Sequence, residues 1–195
     1  MTPIALIQQC APQVSAITMA AIVKQESGGN PFALHDNTSG KSYRPASLAE
    51  AAKLAANLIR QGHSVDIGFA QINSRNLPGL NLDVNQVINP CTNILAAQTI
   101  LLRDWKQSGG DLRGALAAYN TGNTGSTTGK KYAARVFGQA GVVVPAIPGG
   151  QLANWTLADS GSATGGSLPP VRAVVIWTPQ ASPLSPRSGG LAARW

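Results

Sequence analysis

The sequence predicts a mainly helical domain with a small loop or hairpin insert, followed by a low-complexity C-terminal tail. Apolar residues recur at helical spacing up to about position 137 and then lose that periodicity. They make up 44% of the 195 positions, which is enough for a packed core. No run approaches the ~18 apolar residues that would indicate a membrane-spanning helix. We therefore divide the chain into a domain at 1–137 and a tail at 138–195.

The first clear helix carries a glutamate at its C-terminal end. An apolar stripe at helical spacing passes through Met19, Ile22 and Val23. Glu26 continues this stripe, and Gly28 follows as a stop signal. A carboxylate at that place meets the unfavourable end of the helix dipole and points toward the core. Both effects favour the protonated form, so we expect a raised pKa for Glu26, as a general acid near neutral pH requires.

The only other glutamate, Glu50, has a structural explanation. Ser47 and Glu50 have the spacing of a capping box, in which both side chains satisfy free amides at a helix start. The helix that follows ends at Gly62, and its stripe is Ala51, Leu54, Ala55, Leu58 and Ile59. The preceding segment, 33–46, is rich in turn formers and predicts a loop or small hairpin. By elimination, Glu26 is the candidate catalytic acid.

Three further helices complete the predicted domain. One begins at Asn89, with proline in its first turn, and closes at Gly109. The next has Asp111 as its N-cap and runs through Tyr119 to the segment 120–122. A short last helix is predicted from Tyr132 to Phe137.

Three segments together resemble a known superfamily. They are Glu26-Ser27-Gly28-Gly29-Asn30-Pro31, Asp66-Ile67-Gly68-Phe69-Ala70-Gln71-Ile72-Asn73, and Ala117-Ala118-Tyr119-Asn120-Thr121-Gly122. In this order they are similar to the motifs of the lysozyme-like soluble lytic transglycosylases of bacterial cell walls. The resemblance covers about residues 10–137 and is closest to the wall-cutting component of type IV secretion and conjugation systems. It implies a lysozyme-like α+β fold for the domain.

The resemblance also implies an activity and a set of site residues. The activity is cleavage of peptidoglycan with an anhydro-muramoyl product, with Glu26 as the catalytic residue. No cofactor is expected, and two cysteines and two histidines are too few to predict a metal site. The implied substrate-binding residues are Ser27, Gly68, Gln71, Asn73, Tyr119 and Asn120. The alternatives are that Gln71 and Asn73 are loop-capping amides and that Tyr119 is a core aromatic whose hydroxyl is satisfied.

The segments 9–12, 76–78 and 89–94 are also similar to this group of secretion-associated proteins. Cysteines at comparable places imply a disulfide between Cys10 and Cys91, which requires an oxidising compartment. The resemblance therefore implies a periplasmic enzyme. The first seven residues, however, have neither the basic region nor the apolar length of a secretory signal.

The sequence also fits two other functions. Asp66 stands where animal-type lysozymes carry a second carboxylate, so Glu26 and Asp66 could form a hydrolytic muramidase if they lie ~5 Å apart; otherwise Asp66 would be an N-cap. The chain could also be a wall-binding assembly factor. Nucleic-acid binding is disfavoured, because the twelve basic residues of 1–137 are scattered and aromatic residues total only 5%.

The tail differs in composition from the domain. Nine glycines and seven prolines occupy its 58 positions, so we expect it to be disordered. Its β-prone stretch, 171–177, is either a collapsed segment or a strand that docks on the secretion machinery.

Overall fold

The computed structural model describes residues 3–140, within which the chain forms eight α-helices and one four-stranded sheet. The helices are α1 Pro3–Cys10, α2 Ala16–Ser27, α3 Leu48–Arg60, α4 Leu77–Leu80, α5 Val84–Val87, α6 Pro90–Gln107, α7 Leu112–Thr121 and α8 Thr127–Gln139. The strands are β1 Leu34–Asp36, β2 Lys41–Tyr43, β3 Val65–Ile67 and β4 Ile72–Asn73. Every strand pair is antiparallel, in the order β2-β1-β3-β4. The predicted fold class, mainly α with a small β insert, is confirmed.

Helix α2 ends as the sequence predicts. Gly28 adopts the left-handed conformation with φ 66°, and its N–H donates to Lys24 O at 3.1 Å. The side chains of Met19 and Ile22 are completely buried in the core. This anchoring fixes the C-terminal turn of α2, which carries Glu26.

The insert is a hairpin that belongs to a larger sheet. Strands β1 and β2 form the hairpin within 33–46, and β3 pairs with the other side of β1. The buried Asp36 ties its turn together: its carboxylate lies 2.8 Å from His63 Nδ1 and accepts from the Ser39 hydroxyl and the Thr38 amide. These hydrogen bonds hold the pKa of Asp36 far below its usual range.

Helix α3 begins with a variant of the predicted capping box. Ser47 Oγ accepts from the Glu50 amide at 3.2 Å, as expected. The Glu50 carboxylate, however, accepts from the Ala46 amide at 2.9 Å, one residue before the cap. Glu50 is exposed and bonded to the helix start, which agrees with its structural interpretation.

The last two helices are longer than predicted. Helix α7 continues through Thr121, so Asn120 is helical, and α8 begins at Thr127 and ends at Gln139. Helix α8 packs against both α2 and α7. The contact with α7 is made at backbone distance, because a Cβ on Gly129 would lie 2.6 Å from Ala117 O.

Three short helices, α1, α4 and α5, were not predicted from the sequence. A disulfide between Cys10 and Cys91, with Cα atoms 5.3 Å apart, links the end of α1 to the start of α6. Among residues 3–140, no helix has both the length and the apolarity needed to cross a membrane. The predicted tail lies outside the described residues from position 141 onward, and so does its segment 171–177.

Candidate active site

Two adjoining cavities open around Glu26, and they share Glu26, Asp66 and Gln71. The smaller, of about 370 Å³, is bounded by the end of α2 and the hairpin; its other lining residues are Ser27, Gly28, Ala33, Leu34, His35, Ser42, Tyr43 and Arg44. The larger, of about 500 Å³, extends over β4, the turn 74–76, α6 and α7. Together they form a cleft with the predicted catalytic carboxyl in both parts.

Burial raises the pKa of Glu26 from an ordinary 4.5 to about 7. A hydrogen bond from Tyr132 opposes this shift, the negative charge of Asp66 adds to it, and the positive charge of Arg135 opposes it. Of the two causes predicted for a raised pKa, the core-facing stripe position corresponds to desolvation, which is the largest cause, and the helix dipole is not among the causes found. The result is a carboxyl that keeps its proton close to neutral pH and stands at the cleft.

Tyr132 is a site residue that the sequence analysis missed. Its hydroxyl donates to Glu26 Oε1 at 2.5 Å, and its side chain is 2% exposed. It was predicted only as the start of the last helix. A usable signal was present: Tyr132 lies on the face of α8 that carries Ala133, Val136 and Phe137, and a buried tyrosine hydroxyl needs a polar partner. Nothing local identified that partner as Glu26.

Asp66 is held by two amides. Its Oδ1 accepts from Asn73 Nδ2 at 2.6 Å and its Oδ2 accepts from Asn37 Nδ2 at 2.8 Å. Asp66 lies on β3 opposite Asn73 of β4. It is therefore not an N-cap, which was the structural alternative to a second catalytic carboxylate. Both carboxylate oxygens are therefore occupied by hydrogen bonds, and Asn37 joins the site although the sequence analysis did not select it.

Gln71 and Tyr119 fix the loop between β3 and β4. Gln71 adopts a left-handed φ of 48°, and its Nε2 donates to Ala33 O at 3.1 Å and to Gly68 O at 2.8 Å. The Tyr119 hydroxyl donates to Ala70 O at 2.9 Å. Tyr119 thus has a satisfied hydroxyl. Within residues 3–140, no group donates a hydrogen bond to the side-chain oxygen of Gln71, Oε1, so this atom is available to a ligand.

Gly68 is required by the core side of this loop. Its φ is 78°, and a Cβ there would lie 2.5 Å from Asn93 Nδ2. Asn93 is buried, donates to Ile67 O and Val87 O, and accepts from the Ala70 amide. Gly68 was expected to let the backbone approach the substrate closely. The structure adds a second reason for glycine here, because a larger residue would clash with the buried Asn93 side chain.

The polar atoms of Ser27 and Asn73 are engaged within the protein. The Ser27 hydroxyl donates to Val23 O and accepts from the Gly29 amide, which fixes the turn after α2. Asn73 Oδ1 accepts from the Arg75 amide, and its Nδ2 bonds Ser64 and Asp66. These contacts favour positioning roles for both residues. Asn120 is exposed and lines the larger cavity.

The protein is of the lysozyme-like α+β class. Its fold is a helical domain with a small antiparallel sheet, and its cleft contains one protonatable glutamate among amides. The family model described as "Transglycosylase SLT domain" matches residues 4–137, and the chain belongs to this family.

Relatives with curated names are similar over most of this chain. "Protein virB1" of Agrobacterium fabrum is 34% identical over 148 residues, which cover 72% of this chain and 60% of the relative. "Type IV secretion system protein virB1" of Brucella abortus is 38% identical over 126 residues, covering 60% of this chain and 53% of the relative. This chain therefore spans little more than half the length of these relatives. No solved structure matches it significantly.

Proposed function

We propose that this chain is a peptidoglycan lytic transglycosylase that cleaves the β-1,4 bond between N-acetylmuramic acid and N-acetylglucosamine. One observation carries the proposal: Glu26 keeps a pKa of about 7 at the point where two cavities meet, with Asp66 beside it and amides and arginines along the larger cavity. Expulsion of a sugar oxygen requires a proton donor, and a carboxyl that is still protonated near neutral pH can provide it. Membership of the transglycosylase family supports the same activity.

In the proposed reaction, Glu26 serves first as acid and then as base. Its proton passes to the glycosidic oxygen as the bond to the muramoyl C1 breaks, which leaves an oxocarbenium-like centre and a Glu26 carboxylate. The muramoyl 6-hydroxyl then attacks C1 and gives its proton to that carboxylate. The products are an anhydro-muramoyl end and a free 4-hydroxyl, so no water is consumed and Glu26 is regenerated.

The surrounding residues have distinct tasks in this proposal. Tyr132 orients the Glu26 carboxyl and, after proton transfer, stabilises the carboxylate with its hydrogen bond. Asp66 lies close enough to raise the pKa of Glu26, and its negative charge stabilises the developing positive charge at C1. The free carbonyl oxygen of Gln71 and the exposed amide of Asn120 suit the hydroxyl and N-acetyl groups of the sugars.

Hydrolysis by a two-carboxylate mechanism is the second candidate, and the presence of Asp66 beside Glu26 in both cavities favours it. Against it, both oxygens of Asp66 already accept hydrogen bonds from amides, which weakens Asp66 as a nucleophile. Digestion of purified peptidoglycan, followed by mass spectrometry, separates the two reactions. Anhydro-muropeptides indicate transglycosylation, and reducing muramic ends indicate hydrolysis.

Two variants complete this test. Glu26→Gln keeps the shape but removes the transferable proton, so turnover should fall by about 10²–10⁴. Glu50→Gln, at the exposed start of α3, is the matched control and should cleave at the wild-type rate. Near wild-type digestion by Glu26→Gln would refute the proposed role of Glu26.

We also propose the biological setting. The relatives that carry the name virB1, one of them named as a type IV secretion system protein, support a role in opening the periplasmic cell wall for such an apparatus. The tail, 138–195, is the candidate segment for binding a secretion component. A chain truncated after position 140 should cleave peptidoglycan at the full-length rate and lose that partner, because all the catalytic candidates precede Gln139. Equal partner binding by both forms would exclude the tail.

A further inference from the structure

Two arginines line the larger cavity and are not used in the proposed reaction. Arg75 projects from the turn 74–76 and Arg103 from α6. Among the described residues, neither is ion-paired with the two acids of the cleft, Glu26 and Asp66. The Arg75 guanidinium has no acidic partner within residues 3–140, and the Arg103 side chain is 63% exposed. The cavity therefore offers two accessible cations to a ligand.

Arg103 is held in one orientation by a buried carboxylate. Its Nε donates to Asp104 Oδ1 at 3.0 Å, and its Nη2 lies 3.0 Å from the same oxygen. Asp104 is 1% exposed, and its Oδ2 has no hydrogen-bond partner among the described residues. Burial raises the pKa of Asp104. A half-satisfied buried carboxylate costs stability, whereas holding a guanidinium toward a cleft is a functional gain.

The pairing leaves part of the Arg103 guanidinium for a ligand. Of its five N–H donors, those on Nη1 make no hydrogen bond or ion pair with a described residue. A guanidinium fork matches the two oxygens of a carboxylate, and binding is strongest when the arginine is already oriented. Arg75 and Arg103 therefore suit a carboxylate, or two carboxylates on one flexible chain.

The proposed substrate carries its carboxylates in one place. The amino-sugar backbone of peptidoglycan is uncharged, and the negative charges lie on the peptide stems attached to the muramoyl groups. The exposed amide of Asn76 lines the same cavity and suits the peptide groups of such a stem. We infer that Arg75 and Arg103 bind a stem carboxylate, so that the enzyme selects glycan strands that carry peptides over stripped strands. This inference rests on the proposed function.

The test compares two substrates for each variant. One is peptidoglycan strands with intact stems, and the other is the same strands after an amidase has removed the stems. We expect the wild-type enzyme to have the higher kcat/KM on intact strands. The ratio compared is kcat/KM on intact strands divided by kcat/KM on stripped strands. Arg75→Gln combined with Arg103→Gln should lower this ratio about tenfold, mainly through a higher KM for intact strands, because two partly exposed ionic contacts are lost. Added salt should lower the wild-type ratio in the same direction.

Two further variants keep the test decisive. Arg103→Gln leaves Asp104 buried without a cation and could unfold the domain, so Arg103→Gln is also made together with Asp104→Asn, and Arg75→Gln is measured alone. Arg60→Gln is the control, because Arg60 lies on α3, bonds Asn57 and lines neither cavity. Its ratio should equal that of the wild type.

The outcomes distinguish this inference from the proposed function. An unchanged ratio in folded, active variants overturns the inference and leaves the proposed function intact. Equal losses on both substrates also overturn it, because the arginines would then act on the glycan itself. If the wild-type enzyme cleaves neither substrate, the proposed function fails, and the inference fails with it.

Discussion

Glu26 should make the folded domain less stable as the pH rises, and Glu26→Gln should remove this penalty. In the folded protein the carboxyl has a pKa of about 7, against an ordinary 4.5. The folded state therefore keeps the proton between these two values, while the unfolded chain has already released it. The contribution of the protonated Glu26 to the free energy of unfolding is fully present below pH 4.5 and is lost as the pH rises through 7.

The size of the effect follows from the difference between the two pKa values. Each pKa unit is worth about 1.4 kcal/mol, so the ionised Glu26 lowers the free energy of unfolding by about 3 kcal/mol above pH 7. A glutamine at the same position has no charge to bury, and its side-chain oxygen can still accept from Tyr132. Glu26→Gln should therefore match the wild type at pH 4 and exceed it by about 3 kcal/mol at pH 8.

Urea denaturation at pH 4 and pH 8 measures this difference directly. Glu50→Gln is the control: it changes an exposed glutamate and keeps Glu26, so its free energy of unfolding should fall from pH 4 to pH 8 as much as that of the wild type. If Glu26→Gln and the wild type show the same dependence on pH, the Glu26 carboxyl is not a desolvated acid. The physical argument for a proton donor at neutral pH would then be refuted, whatever the activity of the variant.

Three other predictions concern the support of the site. Tyr132→Phe removes a hydrogen bond that favours the Glu26 carboxylate, so the alkaline limb of the kcat/KM profile should move up by about one pH unit. Replacing Cys10 and Cys91 by serine opens a loop of 81 residues and should cost roughly 2–5 kcal/mol in thermal unfolding. Gly68→Ala, which drives a Cβ into the Asn93 amide at a left-handed φ, should cost roughly 2–4 kcal/mol.

Each of these predictions has its own control. An unchanged or lower alkaline limb in Tyr132→Phe would contradict the assigned hydrogen bond. Two reactive thiols in unfolded, unreduced protein from an oxidising compartment would disprove the disulfide. Gly62→Ala has a similar φ of 84° but open space around the added Cβ, so it should cost less than Gly68→Ala; equal costs would show that strain alone, without the Asn93 contact, explains the effect.

Helix ends in this domain could be predicted because their signals are local. Asn89 and Asp111 accept hydrogen bonds from amides of the first turns of α6 and α7, and Gly28 closes α2. The position of Glu26 on the helix stripe likewise indicated its altered pKa. In these cases the residues that decide the structure lie within a few positions of one another.

The remaining features depend on residues far apart in the chain. Strands β3 and β4 span only three and two residues, too few for an alternating pattern to be recognised. Tyr132 reaches Glu26 across 106 positions, and Asn37 reaches Asp66 across 29. A tyrosine or an asparagine gives no local sign of which carboxylate it will meet, so these parts of the site required the folded structure.

The close contact between α7 and α8 at Gly129 limits how the wall of the cleft that these helices form can move. Tyr119 and Tyr132 stand on this helix pair, and Gly129 lies so near Ala117 that an added Cβ would be 2.6 Å from its backbone oxygen. Because α7 and α8 cannot slide past each other without a clash at Gly129, we expect the Tyr132 hydroxyl to stay beside Glu26 and the Tyr119 hydroxyl beside the 68–71 loop. The opposite wall is a hairpin of three-residue strands, which pairs with β3 and buries Leu34 in the core. In the proposed reaction, Glu26 and its tyrosine partner would therefore keep their geometry while the substrate enters and leaves.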